Sequence, residues 1–196
     1  YNIIYTMSIN DWLQNTNSEY TLTSDLVIAS GDELTIPAGK ELINNQYLII
    51  IEGTLNNEGT LTTYYKATYV RPSGVLNNDG TFNNGGSLYI NYSDNVYKGT
   101  INNKGTINNT YFTRIDGFIN NTGTIANSHS ISIRGSIDNA GAITNSGGYS
   151  IRFLKPVDTQ PPPCIDNQTT GIIANMGTIA GTVDSNDANI IYGEIT

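Results

Sequence analysis

The sequence predicts an all-β protein whose chain winds as a single-stranded parallel β-helix, a solenoid with three faces per coil. Two observations lead to this fold class. An eleven-residue motif, Gly-x-Φ-x-Asn-x-Gly-x-Φ-x-(Asn, Thr or Gly) with Φ apolar, occurs six times. Within each copy the apolar residues fall on alternate positions, which is the period of a strand. Each unit has one apolar face that it cannot bury alone, so the repeat predicts stacked units.

The composition supports ordered β structure. The 196 residues are 38% hydrophobic and only 13% charged, and 27 of them are asparagine. Disordered chains are poor in aromatic and β-branched residues. Here 13 tyrosines accompany many Ile, Val and Thr residues, which favour strands. A chain of this length suits one good-sized domain or two small ones.

The charge balance argues against two classes of partner. The net charge is −8, and nine Lys and Arg residues are scattered along the chain. Nucleic-acid binding depends on Lys and Arg neutralising phosphates, so no nucleic-acid partner is expected. The longest apolar run, YLIIIEG at residues 47–53, is far shorter than the ~18 residues of a membrane helix. No membrane insertion is therefore expected in this segment.

The spacing of the motif gives the length of a coil. The leading glycines are 21, 25, 18, 18 and 36 residues apart, which indicates coils of about 18–25 residues, with two coils in the last interval. The longer coils predict loops after the second strand. Glycines recur where the chain must turn between faces, and tight turns favour glycine. The predicted corner glycines are Gly53, Gly59, Gly74, Gly80, Gly99, Gly105, Gly117, Gly123, Gly135, Gly141, Gly171 and Gly177.

Alternation assigns one set of side chains to the interior. It places Ile101 and Ile107 inside and Lys104 outside. The second asparagine of each copy shares the inward parity, so its amide is expected to bond the amide of the next coil, as in a ladder. An unpaired buried amide costs about 1–3 kcal/mol, which accounts for a column without gaps. The predicted ladder residues are Asn57, Asn78, Asn103, Asn121, Asn139 and Asn175.

This pattern resembles the right-handed parallel β-helices of surface and adhesive proteins: filamentous-haemagglutinin-like repeats, autotransporter-passenger repeats and viral fibre proteins. SGDELTIPAGKEL, at residues 30–42, resembles the first coil of such a repeat. The resemblance covers about residues 34–196 and implies a non-enzymatic surface protein. The strict hexads of the 18-residue coils also resemble left-handed β-helices, so the left hand is the alternative. The looped coils and the long insertion favour the right hand.

The two ends and one internal segment depart from the repeat. Residues 1–32 are assigned to an N-terminal cap that contains a short helix at residues 8–15. Residues 33–196 are assigned to the β-helix, with a loop insertion at 153–170, where three successive prolines cannot donate to a strand ladder. The single cysteine, Cys164, lies in this insertion; it is a candidate intermolecular contact or a free thiol. The chain is expected to continue beyond residue 196.

No set of residues indicates catalysis, a metal or a cofactor. No face gathers acidic residues with a basic partner, and His129 has inward parity, so it is expected to pack in the core. Because similar β-helices include polysaccharide lyases and hydrolases, a carbohydrate-active enzyme is the alternative. Ice binding is a minor alternative, since an outward threonine column is interrupted only by Ala142. That column contains Thr60, Thr81, Thr106, Thr124 and Thr178.

The remaining polar surface indicates a protein that works by shape. The sequence predicts an extracellular, cell-surface or virion-surface element, acting as a rod, coat, fibre or adhesin. Its expected partners are other copies of itself, surface or capsid proteins, and glycans. Exposed aromatic side chains stack on sugars or anchor protein interfaces. The candidate contacts in the longer coils are Tyr64, Tyr65, Tyr69, Tyr89, Tyr92 and Tyr97.

Overall fold

The computed structural model describes residues 18–90, 99–146, 150–153, 164–167, 172–175, 178–180, 182–183 and 190–192. Every regular element in these ranges is a β-strand, which confirms the all-β fold class. The helix predicted at residues 8–15 lies outside the described residues. No helix in the part of the chain that the structure describes is long and apolar enough to cross a membrane.

The strands are two to five residues long and are numbered in chain order. The first nine are β1 (Glu19–Thr21), β2 (Leu26–Ile28), β3 (Glu33–Ile36), β4 (Glu41–Ile43), β5 (Ile49–Ile51), β6 (Thr54–Asn57), β7 (Thr60–Tyr64), β8 (Thr68–Val70) and β9 (Val75–Asn78). The next nine are β10 (Thr81–Gly85), β11 (Leu88–Ile90), β12 (Thr100–Asn103), β13 (Thr106–Asn109), β14 (Thr113–Ile115), β15 (Phe118–Asn121), β16 (Thr124–Asn127), β17 (Ile131–Ile133) and β18 (Ser136–Asn139). The last seven are β19 (Ala142–Asn145), β20 (Ser150–Phe153), β21 (Cys164–Asn167), β22 (Ile172–Asn175), β23 (Thr178–Ala180), β24 (Thr182–Val183) and β25 (Ile190–Tyr192).

The strands form three sheets, and each coil contributes one strand to each sheet. The first sheet takes every third strand from β1 to β22, the second from β2 to β23, and the third from β3 to β21. Pairing is parallel throughout these series, for example between β12 and its neighbours β9 and β15. This topology confirms a parallel β-solenoid with three faces per coil. The right hand stays a prediction.

The third sheet ends in a different arrangement. Beyond β21 the next strand is β25, which runs antiparallel to it, and β25 pairs in turn with β24, also antiparallel. An antiparallel strand at this position satisfies backbone groups that would otherwise form an open sheet edge. The parallel order of the coils therefore stops at β21 in this sheet.

Side chains alternate between the interior and the surface, as the motif predicts. In β12, Ile101 and Asn103 are buried, whereas the two other residues of the strand are partly exposed. The register places Ile101 between Leu76 and Ile119 of the adjacent coils, so apolar columns run along the solenoid. Burying one such Ile or Leu side chain contributes roughly 1.5–3 kcal/mol.

The corner glycines are required because successive coils approach closely. A Cβ on Gly105 would lie 2.0 Å from the carbonyl oxygen of Gly80, and one on Gly123 would lie 2.1 Å from that of Gly105. The only glycines with positive φ among the described residues are Gly31 and Gly39. An unusual backbone conformation is therefore not what requires glycine at the motif positions with described surroundings, which are Gly53, Gly59, Gly74, Gly80, Gly105, Gly117, Gly123, Gly135 and Gly141. Steric contact between coils is the cause. Gly171 and Gly177 lie outside the described residues.

The solenoid begins before the first copy of the motif. Strands β1 and β2 lie within residues 1–32 and pair in parallel with β4 and β5. Leu26 and Ile28 of β2 are buried and belong to the hydrophobic core. The region assigned to a cap thus contributes strands to two sheets, and residues 1–17 lie outside the described part of the chain.

The segment predicted as a loop insertion contains a strand of the solenoid. Cys164–Asn167 aligns with Ser136–Asn139 in the third sheet, so Ile165 continues the apolar column and is buried. The motif does not reveal this strand, because the residue before it in the sequence is Pro163, whereas Gly135 precedes the strand of the preceding coil as the leading glycine. The boundaries of the insertion are therefore wrong at its C-terminal side.

This strand shifts the register of β22 and β23, which follow it. Asn175 lies opposite Asn145 in the first sheet, and Asn167 lies opposite Asn139 in the third. The prediction that Asn175 continues the column of Asn139 is wrong. Thr178 lies opposite Ser150 in the second sheet, so it is not part of the threonine column either.

The extra residues of the coil that begins at Gly74 follow its third strand. Leu88 comes 14 residues after Gly74, and Thr113 comes 14 residues after Gly99. Leu88 and Thr113 pair in register. The seven additional residues of the 25-residue coil therefore lie between β11 and Gly99. For this coil, the predicted position after the second strand is wrong.

Candidate functional site

Five asparagines form a buried ladder through the solenoid, called here the inner ladder. Each Nδ2 donates to the Oδ1 of the next coil, at 2.7, 2.7, 2.7 and 2.6 Å in chain order. Amide bonds in such an interior polarise one another and are stronger than in water. The predicted asparagine ladder is confirmed for its first five residues. These are Asn57, Asn78, Asn103, Asn121 and Asn139.

A second buried ladder, which the sequence analysis did not identify, lies in the first sheet. Thr63 Oγ1 donates to Asn84 Oδ1 at 3.0 Å, and amide-to-amide bonds of 2.7, 2.7 and 2.6 Å continue it through the next three coils. Its later members are Asn109, Asn127 and Asn145. The sequence signal for this second ladder is the last position of the motif, which is asparagine in four of six copies and has inward parity.

A third ladder lies on the outside of the third sheet and is called here the outer ladder. It consists of Asn56, Asn77, Asn102 and Asn120, aligned in consecutive coils. Each later amide donates to the preceding one, at 2.8, 2.9 and 2.8 Å. The series ends at the carboxylate of Glu33, which accepts a 2.5 Å bond from Asn56. The direction of donation is opposite to that of the inner ladder.

The outer ladder forms one wall of a groove of about 480 Å³. The other wall is the corner after the third-sheet strands, formed by Glu58, Asp79, Lys104 and Thr122. Lys104 Nζ lies 3.3 Å from Asp79 Oδ2, with side chains 70% and 51% exposed, so this ion pair contributes little to stability. The groove is therefore lined by amides, a hydroxyl, two carboxylates and one paired cation, with no aromatic side chain.

Two carboxylates continue the line of the outer ladder. Asp138 pairs in register with Asn120, and Asp166 pairs with Asp138. Side chains at such positions in parallel strands are separated by about one strand spacing, ~4.8 Å. The sequence did not predict this pair because Asp166 was expected to lie in a loop.

Cys164 lies beside these carboxylates at the start of β21 and is partly buried. Burial raises the pKa of its thiol, and the negative charges of Asp166 and Asp138 raise it further. All three effects disfavour the thiolate. The thiol is therefore a weak nucleophile at neutral pH, which does not favour an exchange-prone intermolecular contact.

One acidic residue of the second-sheet corner has two basic partners. Asp116 receives two bonds from Arg114 Nε, the shorter at 2.9 Å, and lies 3.5 Å from Arg134 Nη1. The side chain of Asp116 is 12% exposed and those of both arginines are 26% exposed. A carboxylate held by two guanidinium groups is already neutralised, so the cluster joins adjacent coils.

The outward surface of the first sheet carries a shorter polar series. Asn108 Nδ2 donates to Asn83 Oδ1 at 2.9 Å, and Thr62 Oγ1 donates to Glu41 at 2.6 Å. Thr60, Thr81, Thr106 and Thr124 align beside it, and Ala142 follows. The two adjacent columns thus have different chemistry, and the surface is not a uniform threonine array.

The four candidate tyrosines within the described residues do not converge on one site. Tyr64 and Tyr65 are 46% and 80% exposed, at the end of β7 and in the turn after it. Tyr69 and Tyr89 lie in strands rather than in insertions, and their rings stack with centroids 5.2 Å apart. Tyr92 and Tyr97 lie outside the described residues.

His129 is half-buried at the start of the second-sheet segment, not fully inside the core. Its ring stacks on that of Tyr111, with centroids 5.3 Å apart, and Tyr111 is 47% exposed. The prediction of a packed core histidine is therefore wrong in part, because this position lies at the corner before the first residue of β17.

No protein-family model, curated protein or solved structure matches this chain. Within the described ranges, no three His, Cys, Asp or Glu side chains form a group that could hold a metal ion. The outer ladder, its groove and the adjoining pair of carboxylates are therefore the candidate functional surface of the described residues.

Proposed function

We propose that the protein is a non-enzymatic structural or adhesive rod on the outside of a cell or virion. The observation that carries the proposal is the continuous interior between β6 and β19. Apolar columns and two buried ladders pass from coil to coil without a break. Stacked units of this kind make a stiff, quasi-one-dimensional element whose outer faces repeat in register.

The chemistry of the surface supports attachment or coating rather than electrostatic binding. The net charge is −8, and polar neutral side chains predominate on the outward faces. Partners that suit this surface are further copies of the chain, surface or capsid proteins, and glycans. Each would meet the same side chains at every coil, which favours extended, repetitive contacts.

Two measurements test the proposal. The purified protein is incubated with a panel of polysaccharides while reducing ends and unsaturated products are assayed, and no release is expected. Antibody labelling of intact cells or particles of the source is expected to reach the protein without permeabilisation. Turnover of any polysaccharide contradicts the non-enzymatic role, and labelling only after permeabilisation contradicts the location.

The carbohydrate-active alternative is favoured by one observation, the alignment of Asp138 with Asp166. Retaining glycosidases hold two carboxyl groups about 5–5.5 Å apart, close to the strand spacing of ~4.8 Å. If product appears in the turnover assay, Asp138→Asn and Asp166→Asn should each abolish it. Asp79→Asn, a matched change in the adjacent corner column, should leave it intact.

A further inference from the structure

We infer that the outer ladder is a binding track for a linear, uncharged polysaccharide that lies along the axis of the rod. This inference rests on the proposed attachment function, because it names the class of ligand that the rod would attach to. The track is formed by Asn56, Asn77, Asn102 and Asn120 together with the groove that they line.

The two middle amides of the outer ladder, Asn77 and Asn102, keep hydrogen-bonding capacity that the ladder does not use, whereas Asn56 Nδ2 donates to both Glu33 and Thr35. A side-chain amide has two N–H donors and an oxygen with two acceptor sites. In Asn77 and Asn102, one donor and one acceptor site are used by the neighbouring rungs. The other donor and acceptor are adjacent on the same amide, and a sugar hydroxyl both donates and accepts. A pair of neighbouring hydroxyls can therefore bond one amide at both positions.

The ladder also fixes the orientation and spacing of these groups. The bonds of 2.8–2.9 Å fix the orientation of successive amides, so little side-chain freedom remains to be lost on binding. The rungs repeat at about one strand spacing, ~4.8 Å. An extended chain of monosaccharide units repeats on a similar length, so consecutive units can meet consecutive coils.

The stability of the fold alone gives a weak reason for asparagine at the positions of the outer ladder. Asparagine is depleted in strands, where threonine and valine are enriched. The register position two residues earlier in the same sheet holds Thr54, Val75 and Thr100, which follow that preference. A partly exposed amide bond also competes with water, so its net contribution is small. Asparagine occupies this outward position in four consecutive coils. The hydrogen-bonding capacity of its amide explains this better than its strand propensity does.

The charges around the groove select against an anionic ligand. Glu33 lies at the N-terminal end of the ladder and Asp138 at the other end, and Glu58 and Asp79 line the corner. Lys104, the cation of the groove, is already paired with Asp79. Like charges juxtaposed at an interface disfavour binding. The chemistry therefore fits a neutral glycan and not a polyuronate or a sulfated chain.

The test measures affinity for soluble xylan, mannan, hydroxyethyl cellulose and laminarin by affinity electrophoresis, with polygalacturonate as the anionic comparison. At least one neutral polysaccharide is expected to retard the wild-type protein, and polygalacturonate is not. The double variant Asn77→Thr/Asn102→Thr should weaken that binding at least tenfold. The matched control is Asn83→Thr/Asn108→Thr, which removes the same kind of outward amide bond from the first sheet.

The control variant should bind as the wild type does, and both variants should melt within a few degrees of each other because threonine suits a strand. Absence of binding to every neutral polysaccharide overturns the inference, as does equal loss in both variants. If Asn77→Thr/Asn102→Thr instead abolishes self-association of the rods, the groove is a protein interface and the inference is wrong. None of these outcomes affects the results expected from the labelling and turnover assays, which test the proposed function independently.

Discussion

Asn102 and Asn103 are consecutive in the chain, yet their side chains donate hydrogen bonds in opposite directions along the rod. Asn102 donates to Asn77 of the preceding coil at 2.9 Å, and Asn103 donates to Asn121 of the following coil at 2.7 Å. Because a strand alternates its side chains, one amide is outside and the other inside. The two ladders flank one sheet with opposed amide dipoles, so their dipoles partly cancel.

The same substitution should therefore have different effects at the two positions. Asn103→Ala removes the acceptor of one N–H of Asn78 Nδ2, which still donates to the Thr106 carbonyl, and the donor to Asn121 Oδ1. Each buried group that loses its partner costs about 1–3 kcal/mol. We expect a loss of about 2–4 kcal/mol in the free energy of unfolding. Asn102→Ala leaves groups that water can reach, so we expect a loss under ~1 kcal/mol. Urea denaturation of both variants measures the difference, and equal losses would show that the inner ladder has no special role.

The assignment of the interior is tested by a second pair of substitutions. Ile107 is 3% exposed, so Ile107→Asp buries a charge without a partner and should cost more than about 4 kcal/mol. Lys104→Glu changes the exposed corner and loses only a surface ion pair, so it should cost less than ~1 kcal/mol. Thermal melting followed by circular dichroism compares them. An unchanged melting temperature for Ile107→Asp would mean that the inward register is wrong.

The fold could be predicted from the sequence because two signals agree in every clear copy of the motif. The glycine spacing marks the coil, and the period-two alternation separates Ile101 and Asn103 from their outward neighbours. Both signals are local and do not depend on how the coils stack. The inner ladder followed from them as soon as Asn103 was placed inside.

The parts that could not be predicted depend on contacts between coils. Cys164–Asn167 lacks the leading glycine, so its place opposite Ser136–Asn139 appears only when the sheets are assembled. The outer ladder depends on rotamers that align one amide with the next. Sequence parity shows only that Asn102 faces outward, and not that its amide aligns with those of the adjacent coils.

The steric role of the motif glycines predicts a contrast between two glycine substitutions. In Gly105→Ala the new Cβ would meet the backbone oxygen of Gly80 at 2.0 Å, and backbone cannot move aside without shifting a coil. We expect a cost above the ~1–3 kcal/mol typical of overpacking. In Gly39→Ala nothing lies within 4 Å of the new Cβ, and the cost is the left-handed backbone, about 1–2 kcal/mol. Denaturant midpoints that ranked these variants in reverse order would refute the steric explanation.

The environment of Cys164 predicts a slow and pH-shifted reaction with alkylating agents. Burial, Asp166 and Asp138 all raise the pKa of the thiol above its ordinary value of 9.0, so the reactive thiolate forms only at higher pH. The rate of alkylation by iodoacetamide should rise with a midpoint above pH 9 in the folded protein. Asp166→Asn removes one negative charge and should lower that midpoint, while burial, the largest cause, keeps it raised. Asp79→Asn serves as the control, because Asp79 is not among the groups that shift this pKa. A midpoint at or below that of a free cysteine would contradict the placement of Cys164 at the start of β21.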